Sequence, residues 1–200
     1  MKKLLVVLLS VIAIAFTSNA QKVKVMKGDL NFLKGQTELL VKFDYDKMGI
    51  GKFDKEEDYV NKKVSDYNAK EAGKGDKWEK AWYADREEHY EPKFEQLFSK
   101  GLAAINLKAG PEYSNAKYTL IIKTYFIEPG YNIGISKKDA SMSSEAIFVE
   151  TENPDNVICL IDLTKAPGRG GGDYDSGVRV GEAYAKCGKT LAAYLLKKLK

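Results

Sequence analysis

The sequence predicts an α+β fold: an antiparallel-rich sheet of about four to five strands with helices packed on one face. Three observations carry this. Residues 116–128 read as one strand, with Tyr118, Leu120, Ile122, Thr124 and Phe126 on one side and Thr119, Ile121, Lys123, Tyr125 and Ile127 on the other. A strand apolar on both faces, rich in β-branched and aromatic residues, belongs inside a sheet. Residues 55–105 carry helical periodicity, and residues 144–163 carry two further strands before a last amphipathic helix. Strands grouped apart from helices, instead of alternating with them, point to α+β.

The first twenty residues read as a signal peptide. Lys2 and Lys3 precede an apolar run from Leu4 to Phe16, and Ser18-Asn19-Ala20 supplies small residues for cleavage. The run is shorter than the ~20 residues of a membrane span. Cleavage is expected after Ala20, leaving a single domain over 21–200 that is periplasmic or secreted. No Cys follows the cleavage site, so no lipid attachment and no stable membrane anchor are expected. Loss of Lys2 and Lys3 lowers the formal charge from +4 to +2, which gives no basic footprint for nucleic acid.

In chain order, Val23 and Val25 alternate with lysines. Lys27-Gly28-Asp29 is a turn. Leu30, Phe32 and Leu33 fit neither period. The stretch 38–46 is a half-buried strand, with Leu39, Val41, Phe43 and Tyr45 inward. Asp54 with Glu57, then Asp76 with Glu79, give helix starts of the capping-box kind. The second helix carries Trp78, Trp82, Asp85 and His89 on one face, is expected to pause near Tyr90 because of Pro92, and resumes through Phe94, Leu97, Phe98 and Leu102. Residues 137–139 read as loop and 153–156 as a turn. Residues 167–177 form a glycine-rich loop before a helix over 178–198.

The K-Y-T-L-I-I-K-T run at 117–124 and the E-P-G-Y-N-I-G run at 128–134 resemble an uncharacterised family of exported Gram-negative envelope proteins. So do D-Y-D-K-M at 44–48, residues 74–82, and D-Y-D-S-G-V-R-V-G-E-A-Y at 173–184. The architecture is more loosely similar to the N-terminal α/β domain of the periplasmic Tol propeller protein and to related envelope lipoprotein domains. The resemblance implies an interaction domain and brings no catalytic residues.

Several groups are candidates for chemistry. Tyr131, Asn132 and Ile133 form an exposed recognition loop or pack on the sheet margin. Trp78, Trp82 and Tyr83 form an aromatic platform for a glycan or peptide, or belong to the core. Gly170, Gly171, Gly172, Asp173 and Asp175 make an anion or calcium loop, or a loop in which Asp175 or Ser176 caps the last helix. Tyr131 and this loop are expected to flank one surface. Cys159 and Cys187 form a disulfide worth roughly 3 kcal/mol, or are two buried thiols. His89 is either a solvated helix residue or a base. No cofactor or metal centre is expected.

These readings point to a non-enzymatic interaction module binding an envelope protein or glycan. The alternatives are a glycan-directed hydrolase using Asp/Glu pairs and a small-ligand carrier. A pocket with two carboxylates, one with a raised pKa, favours the hydrolase; an exposed apolar patch or open sheet edge favours the module.

Overall fold

The computed structural model describes residues 21–168 and 175–200. The expected signal peptide, and Gly170, Gly171, Gly172 and Asp173 of the glycine-rich loop, lie outside them. The elements run β1 (Lys22–Lys27), β2 (Glu38–Asp44), β3 (Gly49–Ile50), α1 (Glu56–Asn68), α2 (Lys74–Asp85), a π turn (Arg86–Tyr90), α3 (Glu91–Leu102), β4 (Lys108–Gly110), β5 (Tyr118–Glu128), β6 (Tyr131–Asn132), β7 (Lys137–Lys138), β8 (Ser141–Glu150), β9 (Asn153–Pro167) and α4 (Ser176–Leu199).

The α+β class holds, but the sheet is larger than four to five strands. It has seven, in the order β1-β9-β8-β5-β2-β4, with β3 also on β5. The strands beyond the expected five are β3 and β4, two and three residues long, too short to show alternation. The sheet is also mixed: β5 pairs antiparallel with β8 but parallel with β2 and β3. Residues 137–138, expected as loop, pair with Tyr131 and Asn132 in a separate two-stranded ribbon. The turn expected at 153–156 sits earlier, at 151–152, and Asn153–Asn156 belong to β9.

As expected, β5 lies inside the sheet. A bulge between Thr124 and Phe126 shifts its phase, so Ile127, not Phe126, joins Leu120 and Ile122 in the core. The other face is more open: Lys123 is half-buried and Tyr125 exposed. There the register sets Lys24, Asp162, Glu145, Lys123 and Asp44 in one row across five strands. Tyr125 Oη donates to Asp162 Oδ1 at 2.9 Å, and Lys123 Nζ lies 3.6 Å from Asp44 Oδ2. Cross-strand charge pairs of this kind suit a solvated sheet face.

The two expected capping boxes do not form. Residue Lys55 precedes α1 without a side-chain cap bond, and α2 follows Gly73 at a φ of 79°. Asp76 instead sits in the first turn of α2, accepting from Asn68 Nδ2 at 3.0 Å. The expected pause near Tyr90 is a π turn: the Glu91 N–H donates to the Arg86 carbonyl, five residues back. Pro92 has no N–H and its ring crowds the preceding turn; the wider turn lets helix continue into α3. The cap of α4 is as expected, with the Asp175 side chain accepting from the Gly177 N–H at 2.7 Å.

The helix α4 runs parallel to the rod formed by α2, the π turn and α3. Small residues on α4 meet successive turns of the rod. A Cβ on Gly177 would stand 2.0 Å from Asp85 Oδ1, one on Gly188 2.4 Å from the Phe94 carbonyl oxygen, and one on Gly101 2.5 Å from Ala192 Cβ. Between these contacts Tyr184 stacks on Tyr90, centroids 4.9 Å apart, and bonds Thr124 Oγ1 on β5 at 2.7 Å. Of the two alternatives for Cys159 and Cys187, the structure has the buried thiols and not the bridge: both are free and buried. Cys187 faces Ser144 Oγ at 3.7 Å, while Cys159 is opposite Phe148 on β8. Burial pushes both thiols up to about 11.

Gly188→Ala is expected to lower stability. Overpacking at a backbone contact costs about 1–3 kcal/mol, against ~1 kcal/mol gained in helix propensity. A thermal melt with an unchanged or higher Tm would show that α3 and α4 can part there.

Candidate functional site

One cleft, about 380 Å³ in volume, collects residues from four parts of the chain: Tyr59, Lys63 and Tyr67 on α1; Trp78, Ala81, Trp82 and Asp85 on α2; Pro129, Gly130, Tyr131 and Asn132 entering the β6–β7 ribbon; and Asp175, Ser176 and Arg179 at the start of α4. The helix-facing side of α1 presents Tyr59, Lys63 and Tyr67 one turn apart. On α2, Trp78, Trp82 and Asp85 share a face for the same reason. Gly130 admits the ribbon: its φ is 64°, and a Cβ there would lie 2.4 Å from the Lys138 carbonyl oxygen.

The rings form a continuous wall. Trp78 stacks on Trp82 at 5.6 Å, and Tyr59 and Tyr67 meet Trp78 at 5.9 and 5.8 Å. Trp82 is anchored from behind. Its Nε1 donates to Glu56 Oε1 at 2.7 Å, and Arg86 Nη2 bonds the other Glu56 oxygen at 2.6 Å. The Arg86 guanidinium also lies over Tyr45, 4.4 Å from the centroid. This network ties α1 to the π turn.

Asp85 is 8% exposed. Burial, then the charge of Asp175, pushes its carboxyl from near 3.8 up to about 6, with His89 opposing. His89 Nε2 stands 3.8 Å from Asp85 Oδ1, so His89 is a half-buried neighbour of the cleft and not a fully solvated helix residue. Arg179 is buried, and its guanidinium donates to the carbonyl oxygens of Pro129 and Gly130 at 3.3 and 3.5 Å. Another raised carboxyl, Glu95, is pushed to about 7 by burial and by Glu91 and Glu112, but does not line the cleft.

Three candidates that the sequence keeps apart therefore converge. Trp78 and Trp82, Tyr131 and Asn132, and Asp175 share one cleft. Trp78 is its half-buried wall, and Trp82, at 3% exposure, is also core. Tyr131 bonds Ser136 Oγ at 3.1 Å, and Asn132 Oδ1 accepts from the Gly134 N–H at 3.0 Å. Ile133 does not join: it is 65% exposed at the ribbon tip, beside Ile135 at 98%. Gly170, Gly171, Gly172 and Asp173 lie outside the described residues. Sequence reasoning missed Tyr59, Lys63, Tyr67 and Arg179. The first three have a signal, their four-residue spacing. Arg179 has only its place among inward-facing residues of α4.

Among the described residues, no group of three or more His, Cys, Asp or Glu could hold a metal ion, and no helix is long and apolar enough to cross a membrane. The structure thus defines an α+β protein with an aromatic-walled, mixed-charge cleft at one end of its helical layer. No family model and no curated protein match the chain. Among solved structures it is similar to the PelC dodecamer from Paraburkholderia phytofirmans, at 13% identity over 90% of this chain and 97% of that one, with a TM-score of 0.41. A point variant of that dodecamer gives 11% identity, 84% and 98% coverage, and a TM-score of 0.37. Both likenesses are distant.

The raised Asp85 carboxyl has a sign. The folded protein holds this proton more tightly than the unfolded chain does, so stability is greater at low pH and falls as pH rises from 3.8 to about 6. Asp85→Asn is expected to remove that fall: thermal melts of the two proteins should coincide near the bottom of the window and separate above it, the variant being the more stable. Parallel profiles would show that Asp85 titrates as an ordinary carboxylate. Glu56→Gln weakens the bond to Arg86 and is expected to cost about 1.5–3 kcal/mol, measured by urea unfolding; a loss within error would mean that Arg86 finds another acceptor.

Proposed function

We propose that this protein is a non-enzymatic binding module of the cell envelope, exported by a signal peptide cleaved after Ala20 and holding a glycan in the cleft. The convergence of Trp78, Tyr131, Asn132 and Asp175 in one cleft carries the reading. A sugar ring has an apolar C–H face that suits an aromatic wall, and hydroxyls that suit amide, phenol and carboxylate groups. The mixture of rings with Lys63, Asp85, Asp175 and Arg179 fits a polar ligand better than the apolar cargo of a carrier. The charged start, apolar run and small residues of positions 1–20 are what the compartment rests on.

Titration of the exported protein with soluble envelope oligosaccharides, followed by tryptophan fluorescence and calorimetry, is expected to give saturable binding. Trp78→Ala should weaken it by about tenfold, in line with the ~0.5–1.5 kcal/mol of one aromatic pair. Affinity unchanged in a folded Trp78→Ala protein, or no saturable signal with any oligosaccharide, would overturn the reading.

A hydrolase is the second reading. Asp85, pushed up to about 6 beside Asp175, favours it, because an acid held near neutrality can protonate a leaving group. It predicts release of reducing ends from the bound oligosaccharide, lost in Asp85→Asn. Binding without release would favour the module.

A further inference from the structure

We propose that the cleft recognises an organic ammonium group, and that the Lys63 ammonium stands where the ligand's would sit. This rests on the reading that the cleft binds a ligand. Lys63 Nζ lies 5.7 Å from the Tyr59 centroid and 5.6 Å from that of Tyr67. Both distances fall within the ~6 Å over which a ring quadrupole attracts a cation. Spacing along one helix brings these three side chains together, but it does not account for the rest of the wall. Trp78, from α2, touches both tyrosine rings. The result is a partial aromatic cage of residues from two helices, with an ammonium between its tyrosines.

The carboxylates give an independent observation. Asp85 and Asp175 line the same cleft, and their mutual repulsion helps to raise Asp85. A cation brought between the rings and the Asp85 carboxyl gains from both. Arg179 also lines the cleft, and its guanidinium donates to the carbonyl oxygens of Pro129 and Gly130. The ligand class is therefore a primary or quaternary ammonium, which displaces Lys63 from the rings.

The test uses choline and its uncharged carbon isostere, in which a tert-butyl group replaces trimethylammonium. Both are titrated into the intact protein and followed by tryptophan fluorescence. Choline is expected to saturate, and the isostere to bind about tenfold more weakly, the difference made by one cation over aromatic faces. Lys63→Met keeps the apolar stem, removes the competing ammonium, and should tighten choline about three- to tenfold. Equal affinities for the two probes, no choline binding to either protein, or weaker choline binding in Lys63→Met would overturn the proposal. Oligosaccharide binding that persists in any of those cases leaves the glycan reading standing, and loss of all binding removes both.

Discussion

How closely α4 can approach the helical rod beside it decides the rest of the molecule. Gly177, Gly181, Gly188 and Ala192 recur along one side of α4, and the rod presents Asp85, His89, Phe94 and Gly101 to them in the same order. The Phe94 carbonyl at Gly188 and the Asp85 carboxylate at Gly177 leave no room for a methyl group, so the relative height of the two helices is fixed. That height puts Tyr184 over Tyr90 and under Thr124, joining helices to sheet. It also holds the Asp85 carboxylate against the first turn of α4, beside Asp175. The two carboxylates are neighbours because a glycine allows it, not because either attracts the other.

Around this seam the polar groups divide by depth. Glu56 satisfies the Trp82 indole and the Arg86 guanidinium at once, and Arg86 covers Tyr45. Half-buried charge in such a set is tolerated because the indole N–H and the guanidinium share the two oxygens of one carboxylate. The far side of the sheet follows another rule. Its row of lysines, aspartates and glutamate is solvated, and the alternation of sign across the strands keeps like charges mostly apart. Only one face of the sheet thus carries a helical layer, and the cleft lies at that layer's end.

Much of this was legible in the residues. The interior position of β5, the inner stripe of α4 and the Asp175 cap follow from periodicity and from the chemistry of a short acidic side chain. What misled was local. The bulge after Thr124 exchanges Phe126 for Ile127, and nothing in a period of two announces a one-residue slip. The π turn was visible only as a conflict between Pro92 and a helix that should have broken. Strands of two or three residues carry too few side chains to alternate. The cleft was legible in pieces: each aromatic or acidic group stood out alone, but their meeting depends on the α4 contact and on the ribbon at Gly130, both set by residues distant in sequence. Arg179 was hidden because a charged residue on an inward face looks like an interruption until its carbonyl partners are known.

The strand order has a bearing on how the chain acquires its shape. The β8–β9 hairpin is closed by a two-residue turn, and β5 precedes it closely, so this half of the sheet can form from nearby segments. Among the described residues the outer strand β1 pairs only with β9, and β2 lies parallel to β5 across the whole helical region. Contacts so distant in sequence are slow to form. A chain emerging from its N-terminus therefore carries β2 unpaired until β4 and β5 have been made, and β1 unpaired until β9. The C-terminal half is the template on which the first strands are laid, and a chain cut short before β9 would lack the partner its opening strand requires.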